Sequence, residues 1–97
     1  MERNLAIGLL REHEPALRRL GVVHLYLFGS TARNEADEGS DVDLFFDHVR
    51  GSLGLYQLMD IKALTCRILG RRADIMTKSS LHPALRQQIE ASALRLF

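Results

Sequence analysis

The 97-residue chain is 46% hydrophobic and 26% charged, the make-up of an ordinary globular protein, so residues 1–97 are expected to form a single domain with one modest core and no deep, enclosed site. Its 13 Lys and Arg against 12 Asp and Glu leave a formal charge of +1, which argues against a general nucleic-acid coat, because such a coat needs a cationic surplus to displace counterions. Cys66 is the only cysteine, which excludes an intrachain disulfide and a cysteine-based zinc site, and the absence of a signal-like leader or a bilayer-length apolar run predicts a cytoplasmic protein without a membrane partner.

Leu5, Leu9 and Leu10 fall at helical spacing, and Pro15 restarts the helix in its own first turn. Leu17 and Leu20 continue the buried face, and Gly21 ends it. Val22 to Phe28 is almost continuously apolar and reads as a strand covered on both faces, with Tyr26 and Phe28 in the core. Residues 29–40 are small, polar and acidic, a loop with one short helical turn. Asp41 to Asp47 alternates cleanly: Val42, Leu44 and Phe46 face one way, and Asp41, Asp43 and Phe45 the other. Leu55, Leu58, Ile61, Leu64 and Ile68 predict an amphipathic helix ending near Gly70, with Cys66 as core filler. Arg72 to Met76 is a short strand. Ser79 or Ser80 caps a last helix with Pro83 in its first turn and Leu85 and Ile89 on its inner face. Apolar Leu94, Leu96 and Phe97 on that terminal helix either serve homo- or hetero-association or simply fold back. The predicted order is α, β, β, α, β, α: an α/β (α+β) domain around a small mixed sheet.

The chemistry concentrates in Leu27-Phe28-Gly29-Ser30-Thr31-Ala32-Arg33 and Ser40-Asp41-Val42-Asp43-Leu44. Aspartates two residues apart on a strand project from the same face and repel each other. A divalent cation relieves that repulsion, and Mg²⁺ takes one or two carboxylates together with phosphate oxygens and water. Phosphoryl and nucleotidyl transfer make the same demand. Gly29, directly after a buried strand, lets backbone amides approach an anion, and Ser30 adds a hydroxyl. Arg33 either neutralises phosphate charge or pairs with Glu35 or Asp37. Each half is a weak signal alone, and the joint arrangement is much more specific.

Gly29-Ser30, ten residues, then Asp41-Val42-Asp43 resembles the signature of the DNA polymerase beta nucleotidyltransferase superfamily, and the flanking residues resemble its minimal nucleotidyltransferase (MNT) branch. The resemblance covers essentially the whole chain and implies the nucleotidyltransferase fold. It implies Asp41 and Asp43 as metal ligands, and Asp74, at the third acidic position, as a metal ligand or base. Gly29 and Ser30 would hold the triphosphate of ATP, with Mg²⁺ as cofactor and Mn²⁺ as the alternative. The family commonly has glycine where this chain has Asn34, the side chain best able to replace glycine at positive φ. MNT proteins of this size resemble the antitoxin half of HEPN/MNT pairs, which implies AMP transfer from ATP to a tyrosine of a HEPN ribonuclease toxin.

Other readings remain beside this one. One is a binding module that neutralises its partner by steric occlusion alone, and another is nucleotide addition to an RNA end or a small molecule. The balanced charge makes nucleic acid an unexpected direct partner. Asp74 alternatively pairs with Arg71 or Arg72, themselves a candidate basic patch. Glu35, Asp37 and Glu38 read as a solvated acidic loop. His13, His24, His48 and His82 share no spacing that predicts a histidine metal site, and Tyr56 is either packing or contact surface.

Overall fold

The computed structural model describes residues 1–37 and 39–97. Glu38, part of the expected acidic loop, lies outside the described residues. Helix α1 (Arg3–Glu12) is capped by Glu2, whose carboxylate accepts from the Asn4 and Leu5 amides at 3.0 and 2.8 Å. Helix α2 (Glu14–Arg19) restarts the chain at Pro15, and Gly21, at φ 110°, turns it out of the helix. Strand β1 (His24–Phe28) leads directly into the short helix α3 (Gly29–Ala32). Strand β2 (Val42–Asp47), helix α4 (Leu55–Leu69) and strand β3 (Ala73–Thr77) follow, and Gly70 closes α4 in the left-handed conformation at φ 66°. A 3-10 turn (Lys78–Ser80) leads to helix α5 (Pro83–Ser92) and strand β4 (Leu94–Arg95).

The strands form one mixed sheet in the order β3-β2-β1-β4. β1 runs antiparallel to β2 and β4, whereas β2 and β3 run parallel. One face, carrying Leu25, Leu27, Val42, Leu44, Phe46 and Ile75, joins Ala6, Leu10, Leu17 and Ile61 from the helices in the main core. The predicted alternation along β2 holds. Phe45 points away from that core, yet it is 1% exposed because Tyr26 stacks on it at 4.7 Å and Phe28 flanks it at 5.6 Å. β1 is therefore fully buried on one face and half-buried on the other, rather than covered equally, and Tyr26 and Phe28 belong to this second aromatic layer.

Four expectations need correction. The chain end is not helical: Leu94 and Arg95 add a fourth strand beside β1, and Leu96 and Phe97 fold back into the core. The Leu96 amide donates to the Leu25 carbonyl at 2.7 Å, and Arg11 Nε donates to the Leu96 carbonyl at 2.8 Å, so Leu96 and Phe97 offer no exposed association surface. Second, the cap of α5 is His82, whose Nδ1 accepts from the Ala84 amide at 3.2 Å, because Ser79 and Ser80 are used in the preceding turn. Third, α5 buries no residue: Leu85 is exposed and Ile89 only half-buried. Fourth, Leu5 and Leu55 are exposed, whereas Leu9, Leu10, Leu58, Ile61, Leu64 and Ile68 face the core as their spacing predicts and are joined there by Ala6, Thr65 and Leu69. Thr65 is tolerated there because its hydroxyl donates to the Ile61 carbonyl at 2.8 Å. Cys66 is half-buried beside the Ala73 carbonyl. No helix of the described residues is long and apolar enough to cross a membrane.

Candidate active site

The sheet brings together what the sequence separates. Asp43 sits opposite Phe28 on one side and opposite Asp74 on the other, so the strand registers form a row Phe28–Asp43–Asp74. Directly opposed residues on neighbouring strands present their side chains to the same face, about 5 Å apart. Asp41 lies just before β2, exposed, on the same side by alternation. Its approach is shaped by a turn in which Asp37 accepts from the Gly39 amide at 2.9 Å and from the Ser40 hydroxyl at 3.0 Å. These bonds hold the Asp37 carboxyl below its usual range, the Ser40 hydroxyl most strongly. Asp37 thus shapes the loop rather than belonging to the carboxylate row.

Gly29 follows Phe28 at φ +75°, with Asp43 packed against the position a side chain would take. A Cβ there would collide with the Asp43 carboxylate oxygen and stand 3.3 Å from Asp43 Cβ. Glycine is therefore required twice, by backbone conformation and by space. The turn continues through Ser30 and Thr31, whose carbonyls accept from the Glu35 amide at 2.8 Å and the Asn34 amide at 3.0 Å. Asn34 adopts the expected positive φ, 59°. Its side-chain oxygen accepts from the Arg3 amide at 3.2 Å, tying the loop to the start of α1.

Burial, reinforced by the carboxylates of Asp74 and Asp41, pushes the Asp43 carboxyl above its ordinary range, while the nearby Arg33 opposes the shift. Arg33 itself pairs with Glu35 at 3.1 Å, both side chains being exposed. It is thus close enough to act on the row electrostatically, and its side chain is engaged by the loop. Asp74 is exposed and, among the described residues, makes no ion pair with Arg71 or Arg72. Among the described residues, no group of three or more His, Cys, Asp or Glu side chains closes on a point as a metal cage would. The carboxylates form an open row instead. That fits a hard cation that takes few protein ligands and completes its shell with phosphate oxygens and water. The crowded charge on Asp43 is a physical reason for such a cation to bind there.

The nucleotidyltransferase domain family model matches residues 10–96. The chain is 37% identical over 75 residues to a candidate protein adenylyltransferase of Methanocaldococcus jannaschii, covering 77% of this chain and 80% of that protein. It is 34% identical over 83 residues to the protein adenylyltransferase MntA of Thermococcus cleftensis, covering 84% and 83% respectively. Among solved structures, a candidate minimal nucleotidyltransferase superposes with a TM-score of 0.76 at 34% identity, over 97% of this chain and 95% of that one. The fold alone is shared, at 19% identity and a TM-score of 0.66, with a chain of the Shewanella oneidensis complex of a tri-AMPylated HEPN toxin with its MNT antitoxin, over 94% of this chain and 71% of that one. The chain therefore belongs to the nucleotidyltransferase domain family, and within it to the minimal nucleotidyltransferases.

Proposed function

We propose that this chain transfers AMP from ATP to a tyrosine hydroxyl on a partner protein of the HEPN toxin class and so neutralises it. The observation that carries this reading is the direct pairing of Asp43 with Asp74 across parallel strands, beside a glycine that cannot be replaced without displacing Asp43. In support, relatives above 30% identity over most of their length bear the name of protein adenylyltransferases. Asp41 and Asp43 are the metal ligands, with Asp74 as a further ligand or base, and a bound Mg²⁺ or Mn²⁺ supplies neutralisation of triphosphate charge. Gly29 and Ser30 hold the triphosphate through backbone amides and the hydroxyl, and Arg33 adds positive charge at the rim. Asp74, exposed at the end of the row, accepts the proton of the tyrosine hydroxyl. The tyrosine oxygen bonds to the α-phosphorus of ATP, the bond from that phosphorus to the bridging oxygen breaks, and pyrophosphate leaves with the electron pair.

The test is incubation of the chain with ATP, Mg²⁺ and its co-expressed toxin partner, followed by intact-mass and peptide mass spectrometry of the partner. The reading predicts AMP on a partner tyrosine with the wild type and none with Asp41→Ala or Asp43→Ala. Variants that bind and neutralise the partner as well as the wild type would show that occlusion is sufficient. Label from ATP on RNA or a small molecule, with none on protein, would move the reaction to another acceptor.

A further inference from the structure

The parallel strands β2 and β3 place the carboxylate row at their starts, and their far ends open onto a separate cleft of about 410 Å³. Asp47 is four residues beyond Asp43 on β2, which sets the two places about 13 Å apart. Beside Phe46, the polar lining of the cleft is Asp47, His48, Arg50, Lys78, Ser79 and Arg86, from the end of β2 and the turn after it, the 3-10 turn and α5. Three of these carry permanent positive charge, although the chain as a whole is nearly neutral.

Their charge is incompletely compensated. Lys78 and Arg86 share the single carboxylate of Glu90, at 3.6 and 3.5 Å. Arg50 is exposed and makes no ion pair among the described residues. Asp47, the acid in the lining, accepts from the Tyr26 hydroxyl at 3.3 Å and keeps its negative charge, so with Glu90 two carboxylates stand against three cations and an excess of one positive charge remains. His48 is oriented by donating Nδ1 to the Val49 carbonyl at 3.0 Å. The Ser79 hydroxyl lies 3.2 Å from that of Thr77 and can turn its remaining hydrogen-bonding capacity to the cleft.

We propose that this cleft is a second binding site, distinct from the carboxylate row, for a small phosphorylated molecule. Two guanidinium groups match phosphate oxygens with paired donors, and an ammonium and a hydroxyl complete the set. The volume is that of a small-molecule pocket. The phosphate oxygens are held by Arg50 and Arg86, and Lys78 turns from Glu90 to share the charge.

The test is an amide NMR titration of the whole chain in metal-free buffer, which denies nucleotide its cation at the carboxylate row. One arm uses inorganic phosphate and the other AMP. Both are expected to shift signals at Asp47–Gly51, Lys78–Ser80 and Arg86. Tighter binding of AMP identifies a nucleotide as the occupant, and equal binding identifies free phosphate. The exposed double substitution Arg50→Ala with Arg86→Ala should weaken binding about tenfold or more, and Arg50→Lys with Arg86→Lys should weaken it less. Shifts confined to Gly29–Asp43, no saturable shift, or an alanine variant that titrates like the wild type would overturn the proposal. A single-stranded oligonucleotide that binds the cleft more tightly than either small ligand would overturn it as well.

Discussion

Replacing Asp43 by Asn should inactivate the protein while making the metal-free fold more stable. Burial and two neighbouring carboxylates act against the Asp43 charge, whereas Arg33 favours it. With Asp74 about 5 Å away across the ladder, a water-like dielectric gives a repulsion of about 0.8 kcal/mol. Asp41, roughly 6.6 Å back along the strand, adds about 0.6 kcal/mol. The solvent-screened value is the appropriate one, because Asp43 is only partly buried. After the attraction of Arg33 is allowed for, relief of about 1 kcal/mol remains, or about 4–8 °C in Tm for a domain of this size. The sign follows from linkage. A carboxyl with a raised folded-state pKa destabilises the fold above that pKa, and the penalty fades as pH falls toward the unfolded value of 3.8. The Tm advantage of Asp43→Asn should therefore be full at neutral pH, shrink through the raised pKa, and vanish below about 3.8. High salt should reduce it, and Mg²⁺ with nucleotide should reverse it by stabilising only the wild type. Differential scanning calorimetry in chelator, against pH, provides the measurement. A lower Tm for Asp43→Asn at neutral pH would refute the reasoning.

Gly29→Ala should cost about 1–2 kcal/mol through its positive φ, and more if Asp43 cannot move aside. Urea denaturation measures that loss, and AMP transfer should fall with it because Asp43 is displaced. Leu96→Ala should cost about 2–4 kcal/mol, read from the urea midpoint, because the residue is 4% exposed and closes the core at the sheet edge. Asp74→Asn removes the same Asp43–Asp74 repulsion and should raise Tm by a few degrees in chelator, yet lower the rate of AMP transfer by about 10²-fold or more in single-turnover assays.

The Gly29 and Asp41–Asp43 part of the site was legible in the sequence because each piece is local. Alternation along Asp41–Asp47 fixes which side chains share a face, and Gly29 and Asn34 declare their backbone conformations by residue type. Asp74 came from family resemblance, and only the parallel register explains why it meets Asp43. Strand β4 was hidden because two residues carry no periodicity, and its pairing with β1 is set by tertiary contact. The same contact buries Leu96 and Phe97, with the Arg18 guanidinium 4.9 Å above the Phe97 ring. Periodicity found α1 and α4 and most of their inner faces but missed small Ala6 and self-satisfied Thr65, and it placed Leu5 and Leu55, exposed at the helix starts, on the apolar pattern. The cationic cleft had no linear signal, since Arg50, Lys78 and Arg86 converge only through the fold, away from the Arg71-Arg72 pair that the sequence suggested.

Paramagnetic broadening by Mn²⁺ added with a non-hydrolysable ATP analogue tests the central claim most directly, because it reports where the cation sits without requiring a partner. Amides of Gly29, Ser30, Asp41–Asp43 and Asp74 should broaden together, and Asp43→Asn should abolish the effect. Broadening elsewhere on the chain, or none at saturating nucleotide, would contradict it.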